Sequence, residues 1–442
     1  MNSRLIITVV LSIILFQGPL SAEEVPSSAG NGSEDWKYEK DYLYEQRDNF
    51  IHTHGNLSVK EIRVTGNSKT RERTIFSEIH SVPGTLLSEF DCYHTVNNLK
   101  KKNIFSSIEL KYLHSENHVI IEIHIVEKWS IIPIPLFTSN GNKLSAGLYV
   151  LETNFLGFGT TIFTGGSIST AGNSVIFGFV DPALFGTDAR LNIFFSYKKY
   201  IYETGNMKKE LFNEYRSTGR LARIDAGWSF PGGINAYFSA GYRENLTDKA
   251  YSASYNAPDT AKILPVGILL TIDRLYHYEY LYYGFKLDSG LYHGFNFYDD
   301  GDYNYGQYNA QYSLKLFSYH KLTLHSSGAY GDRPEIMGER LSGKKGSMTL
   351  PADIIASDRW INYATIYEYP LLRLSWGAVT MLAFWEQGLF GSGEINPEHY
   401  YGPGCGMLLY LKKIALPAMG FNLGHNIKTD GTEFSFYVGM SI

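Results

Sequence analysis

The chain closes on Thr432-Glu433-Phe434-Ser435-Phe436-Tyr437-Val438-Gly439-Met440-Ser441-Ile442, in which Phe434, Phe436, Val438, Met440 and Ile442 alternate with Glu433, Ser435, Tyr437, Gly439 and Ser441. Period two is the mark of a strand with one apolar and one polar face. Upstream the pattern recurs: Ala222, Ile224, Ala226, Trp228 and Phe230 alternate with Arg223, Asp225, Gly227 and Ser229, and Tyr308, Ala310, Tyr312, Leu314 and Leu316 with Gln307, Asn309, Gln311, Ser313 and Lys315. Cutting residues 129–442 at Gly, Pro, Asn and Asp clusters gives about sixteen candidate strands. Each takes roughly twenty residues with its connection, which suits tilted membrane strands of about ten residues.

A water-soluble sandwich also alternates, so other features must decide. The N-terminus runs Met1-Asn2-Ser3-Arg4, an apolar stretch from Leu5 to Phe16, then Gly18-Pro19-Leu20-Ser21-Ala22 before Glu23. That is charge, apolar core and small-residue cleavage site in secretory order, and the stretch is too short to span a bilayer as a helix. Residues 1–22 therefore read as a signal peptide cleaved after Ala22. An aromatic content of 15%, carried by 34 Tyr and 26 Phe, fits the girdles of an outer-membrane barrel. Together these features predict an even-numbered antiparallel barrel over residues 129–442. Both edge strands must pair in lipid, so Trp129 to Ser139 is expected to lie antiparallel to Thr432 to Ile442, with Trp129, Ile131, Phe436, Gly439 and Ile442 along the seam.

The formal net charge of −5 gives no basic footprint, so nucleic acid is excluded as a partner. The two cysteines, Cys92 and Cys405, are far apart and suit neither zinc nor a disulfide, so both are expected to be unpaired and buried. There is no G-x-S-x-G, H-E-x-x-H or phosphate loop, and no cofactor is implied. His52 and His54 fall in a polar segment and read as solvated. Arg223, Asp225 and Asp288 fall at lumen-facing parity, where a wetted interior accounts for them.

Residues 23–56 are polar, without sustained period, and read as a periplasmic linker. Residues 57–128 form a compact α+β pattern. Val59 to Val64 alternates as a strand and stops at Gly66-Asn67; Arg71 to Ile79 reads as a helix carrying Ile75, Phe76 and Ile79; Pro83-Gly84 follows. A second helix is predicted from Ser88, turning Phe90, Tyr93, Val96 and Leu99 inward, with Lys100, Lys101 and Lys102 suiting its C-terminal dipole. Phe105 to Leu113 and His118 to Glu127 complete the unit as strands. The first of these, with Phe105, Ile108, Leu110 and Tyr112, is expected to be an edge with one free side.

Ile62-Arg63-Val64-Thr65-Gly66-Asn67, the following helix and the terminal Ile125-Val126-Glu127-Lys128-Trp129 resemble a POTRA domain, the periplasmic module of the BamA/TamA outer-membrane assembly superfamily. The second half resembles the same superfamily. Trp129 to Phe137, Gly147-Leu148-Tyr149 and Glu152-Thr153-Asn154-Phe155-Leu156-Gly157 look like its first strands, and Asp273-Arg274 with Tyr283-Gly284-Phe285 like its central hairpin. Phe384-Trp385-Glu386-Gln387-Gly388 is similar to its F-x-D-x-G strand, with Glu386 in place of a lumen-facing Asp. One departure stands out. The family's Arg-Gly-aromatic loop motif aligns with Ser342-Gly343-Lys344-Lys345-Gly346-Ser347-Met348-Thr349-Leu350-Pro351, so Met348 and Thr349 replace Arg and Gly.

The resemblance implies insertion or translocation of outer-membrane client polypeptides. A client strand would add first to the α+β unit and then at the seam, which Gly439 and Gly424 could loosen, although lumen space or barrel curvature accounts better for either glycine taken singly. Lipids of the outer membrane, unfolded clients and periplasmic proteins are the implied partners. A passive or gated channel, favoured by the missing arginine, and a surface antigen remain open. The missing arginine also leaves Glu386 without its usual cation, so that it must stay hydrated, bind a proton, or pair with Lys344 or Lys345. Alternatively these lysines only keep an outer loop soluble.

Overall fold

The computed structural model describes residues 34–438 apart from 80–82, 103, 141–142, 252–259, 279–280, 298–300, 318, 342–346, 352–353, 375–376, 392–396 and 412–416. The expected signal peptide and the last four residues lie outside the described residues. The N-terminal unit contains α1 (Glu34–His54), β1 (Ser58–Thr65), α2 (Glu72–Phe76), α3 (Cys92–Lys101), β2 (Phe105–Ser115) and β3 (His118–Glu127). Its sheet order is β1-β3-β2, with β3 parallel to β1 and antiparallel to β2. The central strand is the most apolar: Val119, Ile121, Ile123 and Ile125 are all fully buried, packed with Ile75, Leu87, Phe90, Val96 and Leu99.

Helix α1 overturns the linker expectation for residues 34–54. Leu43 is buried in the core, and Tyr44, Phe50 and Ile51 pack against it. These residues recur two turns apart on one face, a stripe hidden by the charges around it. Arg47 fixes the helix by donating to the carbonyls of Ser88 and Phe90 at 3.1 Å each. The second expected helix also starts later than Ser88. A 3-10 turn occupies Leu87–Glu89, and α3 begins at Cys92, where Asp91 accepts the His94 amide at 2.9 Å. Asp91 therefore caps the helix, while the Ser88 hydroxyl accepts from the Asn56 side chain.

The second half is one antiparallel sheet of sixteen strands. In order they are β4 (Ile131–Asn140), β5 (Lys143–Phe155), β6 (Thr160–Ser169), β7 (Gly172–Asp181), β8 (Ala189–Gly205), β9 (Leu211–Phe230), β10 (Ile234–Ala250) and β11 (Ala261–Tyr278). Then come β12 (Leu281–Asn296), β13 (Tyr303–Phe317) and β14 (His320–Gly331). A long loop carries a small hairpin, β15 (Glu339–Leu341) and β16 (Ile355–Ser357), before β17 (Arg359–Leu374), β18 (Gly377–Gly391), β19 (Glu398–Leu411), β20 (Pro417–Asn426) and β21 (Gly431–Val438). The sheet curls until β4 and β21 approach within 8 Å between Cα atoms. Among the described residues, ladders join every sequential pair of wall strands, and none joins β4 to β21.

Alternation in this wall is inverted relative to a soluble domain. On β9, Ile224 and Trp228 are 52% and 47% exposed, whereas Asp225 between them is 3% exposed. Phe238, Ile268, Leu291, Tyr312 and Phe434 continue the exposed apolar face. Cys405 also faces outward and is exposed, which corrects its expected burial; Cys92 is buried, and both thiols are free. No helix among the described residues is long and apolar enough to cross a membrane.

Turns at one end of the barrel seat the N-terminal unit. The Gly157 carbonyl accepts the Arg71 amide and the Thr74 hydroxyl, both at 3.0 Å, and Asn154 donates to the Thr70 hydroxyl at 2.8 Å. Lys69 reaches Glu152 at 2.9 Å, and Arg73 reaches the Phe185 carbonyl. Gly157 has φ +80°, and a Cβ there would sit 2.2 Å from the Lys69 carbonyl oxygen, so only glycine permits this approach.

Candidate functional site

The loop between β14 and β17 folds into the barrel. Met337, Leu341, Met348, Thr349, Leu350 and Ile355 are each no more than 6% exposed. On the wall opposite this segment, β18 turns Phe384, Glu386 and Phe390 inward while Trp385 and Leu389 face out. Glu386 is fully buried, and its two oxygens accept the backbone amides of Met348, at 2.9 Å, and Thr349. Main-chain amides thus hold this group, an arrangement not among the expected ones of hydration, a bound proton or a lysine partner. Charge-assisted bonds of this kind are roughly twice as strong as neutral ones.

The substitution of Met348 and Thr349 for Arg and Gly is therefore compatible with a loop held on Glu386, since amides are independent of side-chain identity. Lys344 and Lys345 lie outside the described residues. Gly424 of β20 makes room for the same segment: a Cβ there would lie 2.6 Å from the Met348 carbonyl oxygen. Of the two roles expected of Gly424, lumen space is therefore the one its surroundings match. Its lack of a side chain lets the loop backbone lie on the wall.

A second anchor, unforeseen from sequence, holds the loop on the far side. Arg340 donates to the Glu203 carbonyl of β8 and to the Tyr215 hydroxyl of β9 at 3.2 Å, with its guanidinium 5.0 Å from the Tyr202 ring. The Gly205 amide donates to the Ile354 carbonyl at 3.1 Å. In strand order β8 is the fifth and β18 the thirteenth of sixteen, so the anchors stand on opposite walls. The loop is a strap across the lumen.

Nearer the N-terminal unit, the lumen holds a buried polar cluster. Lys321 of β14 pairs with Glu368 of β17 at 2.7 Å, and Glu368 also accepts from Thr380 at 2.7 Å and Tyr410 at 2.8 Å. Lys321 lies 4.5 Å from the Tyr282 ring. Each of these acceptors and donors has a partner, as buried charges require. Elsewhere Asp225 pairs with Arg223 at 3.2 Å and accepts from Ser239 at 2.7 Å, and Asp288 pairs with Lys286 at 3.4 Å. Among the described residues no three His, Cys, Asp or Glu side chains converge on a metal position.

The other site residues fall in two places. Strand β2 is a sheet edge, but Phe105 and Leu110 are buried in the unit's own core and Ile108 and Tyr112 pack against it. Their side chains are therefore committed, and what β2 offers is its backbone edge and the opposite face with Glu109, Lys111 and Leu113. Helix α1 covers that committed face, with the Phe50 ring 5.9 Å from Tyr112 and the His54 ring 4.9 Å from His114. At the seam, Trp129 is 78% and Ile131 47% exposed, and Phe436 is half-buried on β21. Gly439 and Ile442 are outside the described residues. The Asp273-Arg274 and Tyr283-Gly284-Phe285 segments face each other across β11 and β12, with Asp273 opposite Lys286 and Arg274 opposite Phe285.

No family model matches the chain, and no curated protein matches its sequence. Solved structures do. BamA from Haemophilus ducreyi lacking POTRA domains 1–3 is similar at 14% identity and TM-score 0.59, covering 97% of each chain. CdiB from Acinetobacter baumannii is similar at 10% identity and TM-score 0.59 over 99% of this chain and 87% of that one. CdiB from Escherichia coli is similar at 12% identity and TM-score 0.61 over 96% and 92%. At these identities the likeness establishes the fold alone: the sixteen-stranded antiparallel sheet of this chain matches a BamA-like barrel.

Proposed function

We propose that this chain is an outer-membrane barrel, exported by a signal peptide, whose N-terminal POTRA-type unit lies in the periplasm and which inserts or translocates outer-membrane client polypeptides. The observation that carries the reading is the closure of the wall, in which the first and last strands, β4 and β21, approach within 8 Å between Cα atoms. That junction joins two strands that no turn connects, so it is where the wall can part and offer backbone groups to an incoming strand. The backbone edge of β2 is a second place for strand addition, on the side from which clients arrive. Outer-membrane lipids, unfolded clients and periplasmic proteins are the partners this implies. We infer no enzymatic activity.

Depleting the protein and measuring the abundance of other outer-membrane barrels tests the reading. Loss of several barrels is expected; unchanged levels would overturn it. A gated channel is the second reading, and the lumen strap favours it, because a loop fixed on both walls blocks conduction until an anchor releases. Planar-bilayer recordings separate the two: large steady conductance with unchanged barrel levels would select the channel.

A further inference from the structure

We propose that the outward face of β8–β11 binds a phosphate-bearing lipid headgroup of the surrounding outer leaflet; the proposal rests on the membrane location proposed above. Followed away from the N-terminal unit, the outward residues of β9 run Phe230, Trp228, Ala226, Ile224 and Ala222, then switch to Arg220, Thr218 and Arg216. The apolar part runs from Phe230 to Ala222, about 26 Å along the strand and less when tilted, close to the apolar band of a membrane barrel. The switch therefore falls at headgroup level.

Strand register aligns the same switch on the neighbours. One rung reads Tyr197, Arg220, Glu244 and Lys262 across four strands. The next outward rung pairs Lys199 with Thr218, and the following one places Arg216 between Ile201 and Lys249. Lys199 thus has Arg220 and Arg216 as its two diagonal neighbours, within reach for long side chains, and like charges so placed repel. A bulge between Thr247 and Lys249 turns Asp248 toward them.

The carboxylates on these rungs are outnumbered. Glu244 pairs with Arg220 at 2.7 Å and Lys262 at 3.3 Å, and Asp248 pairs with Lys199 at 3.7 Å while accepting from Thr218 at 2.7 Å. Arg216 and Lys249 share the Tyr251 ring, at 5.7 and 4.9 Å. Beyond them Glu203 faces Glu214, which bounds the cationic zone on its outer side. An anion seated among Lys199, Arg216 and Arg220 relieves their repulsion, and the exposed Phe195, Ile224 and Tyr242 just below offer a surface to its acyl chains. A phosphorylated amphiphile satisfies both halves.

The test reconstitutes the full chain in bilayer discs of uncharged phosphatidylcholine doped with bisphosphorylated lipid A or its dephosphorylated form, and counts retained lipid by native mass spectrometry. Wild-type protein and Lys286→Gln, a lumen-side control, should retain the phosphorylated form about tenfold better, and excess inorganic phosphate should not strip it. The triple variant Lys199→Gln, Arg216→Gln, Arg220→Gln should lose that preference; Lys199→Gln alone, which disturbs one long pair, should lose part of it. Equal retention of the two lipids, an unchanged preference in the triple variant, or complete displacement by inorganic phosphate would each overturn the site. Failure of the wild-type chain to enter discs at all would instead overturn the membrane location, and is seen before any lipid is counted.

Discussion

Strands β3 and β9 carry the same alternation with opposite meaning. In β3 the apolar residues Val119, Ile121, Ile123 and Ile125 are fully buried between a sheet and two helices. In β9 the apolar residues Ile224 and Trp228 are about half exposed, and it is Asp225 that is buried. The difference lies in what each sheet packs against. β3 has α3 and α1 on its apolar face, whereas the barrel has no covering layer, so its apolar face is left to the surrounding solvent and only lipid makes that favourable.

The largest expected break in this comparison comes from placing one charge in each region. Ile123→Lys puts an unpaired ammonium in the N-terminal core, costs about 4 kcal/mol or more, and should abolish that unit's cooperative unfolding transition. Ile224→Lys should cost about 2–4 kcal/mol in a bilayer, measured by denaturant unfolding in vesicles, and leave the N-terminal unit unchanged. If the second substitution is neutral in bilayers, the exposed face does not meet lipid.

Inside the barrel the comparison sharpens around the strap. Glu386→Ala removes the acceptor of two amide bonds, each worth about 1.5–3 kcal/mol when charge-assisted and not additive. The loop should then become cleavable by protease from the barrel's outer end. Glu386→Gln keeps one acceptor oxygen and should release the loop less. Gly424→Val pushes a side chain against the Met348 carbonyl, at an expected cost of about 1–3 kcal/mol, with the same protease readout and a smaller effect.

The smallest effect is electrostatic and lies in the docking loop of the N-terminal unit. Burial alone would raise the Glu127 carboxyl, but bonds from Ser68, Thr70 and Lys69 outweigh it and hold the group below its ordinary value. A carboxyl depressed on folding contributes stability at pH above its unfolded value, and loses that contribution as pH falls toward the folded one. The protection of amides 68–71 relative to their intrinsic exchange should therefore fall in acid, and Glu127→Gln should flatten that dependence. An unchanged profile in the variant would remove Glu127 as its cause.

How much of this could be read beforehand follows from the length scale of each signal. Strand number and the β1, β2 and β3 segments were legible because period two is local, whereas the inward position of Glu386 followed from the family resemblance of its strand. Helix α1 was not, because its stripe of Leu43, Tyr44, Phe50 and Ile51 is thin and its surroundings are charged. Arg340 was illegible for a different reason: its partners Glu203 and Tyr215 lie more than a hundred residues away, on a wall whose place opposite β18 depends on the whole strand count. The Glu386 contacts were hidden again differently, since backbone amides carry no sequence signature. Lys321 and Glu368 offered a usable clue, two inward charges on strands that become neighbours once the long loop is set aside.

The central claim is that alternation in the barrel faces lipid outward and polar groups inward, and tryptophan fluorescence tests it most directly. Trp228 and Trp385 face out at 47% and 44% exposure, whereas the indole nitrogen of Trp360 is buried inside the barrel among Tyr303, Ile336 and their neighbours. In single-tryptophan variants reconstituted with brominated lipids, Trp228 and Trp385 should be strongly quenched and Trp360 spared. Quenching of Trp360, or protection of the other two from lipid with quenching by aqueous iodide instead, would contradict the account.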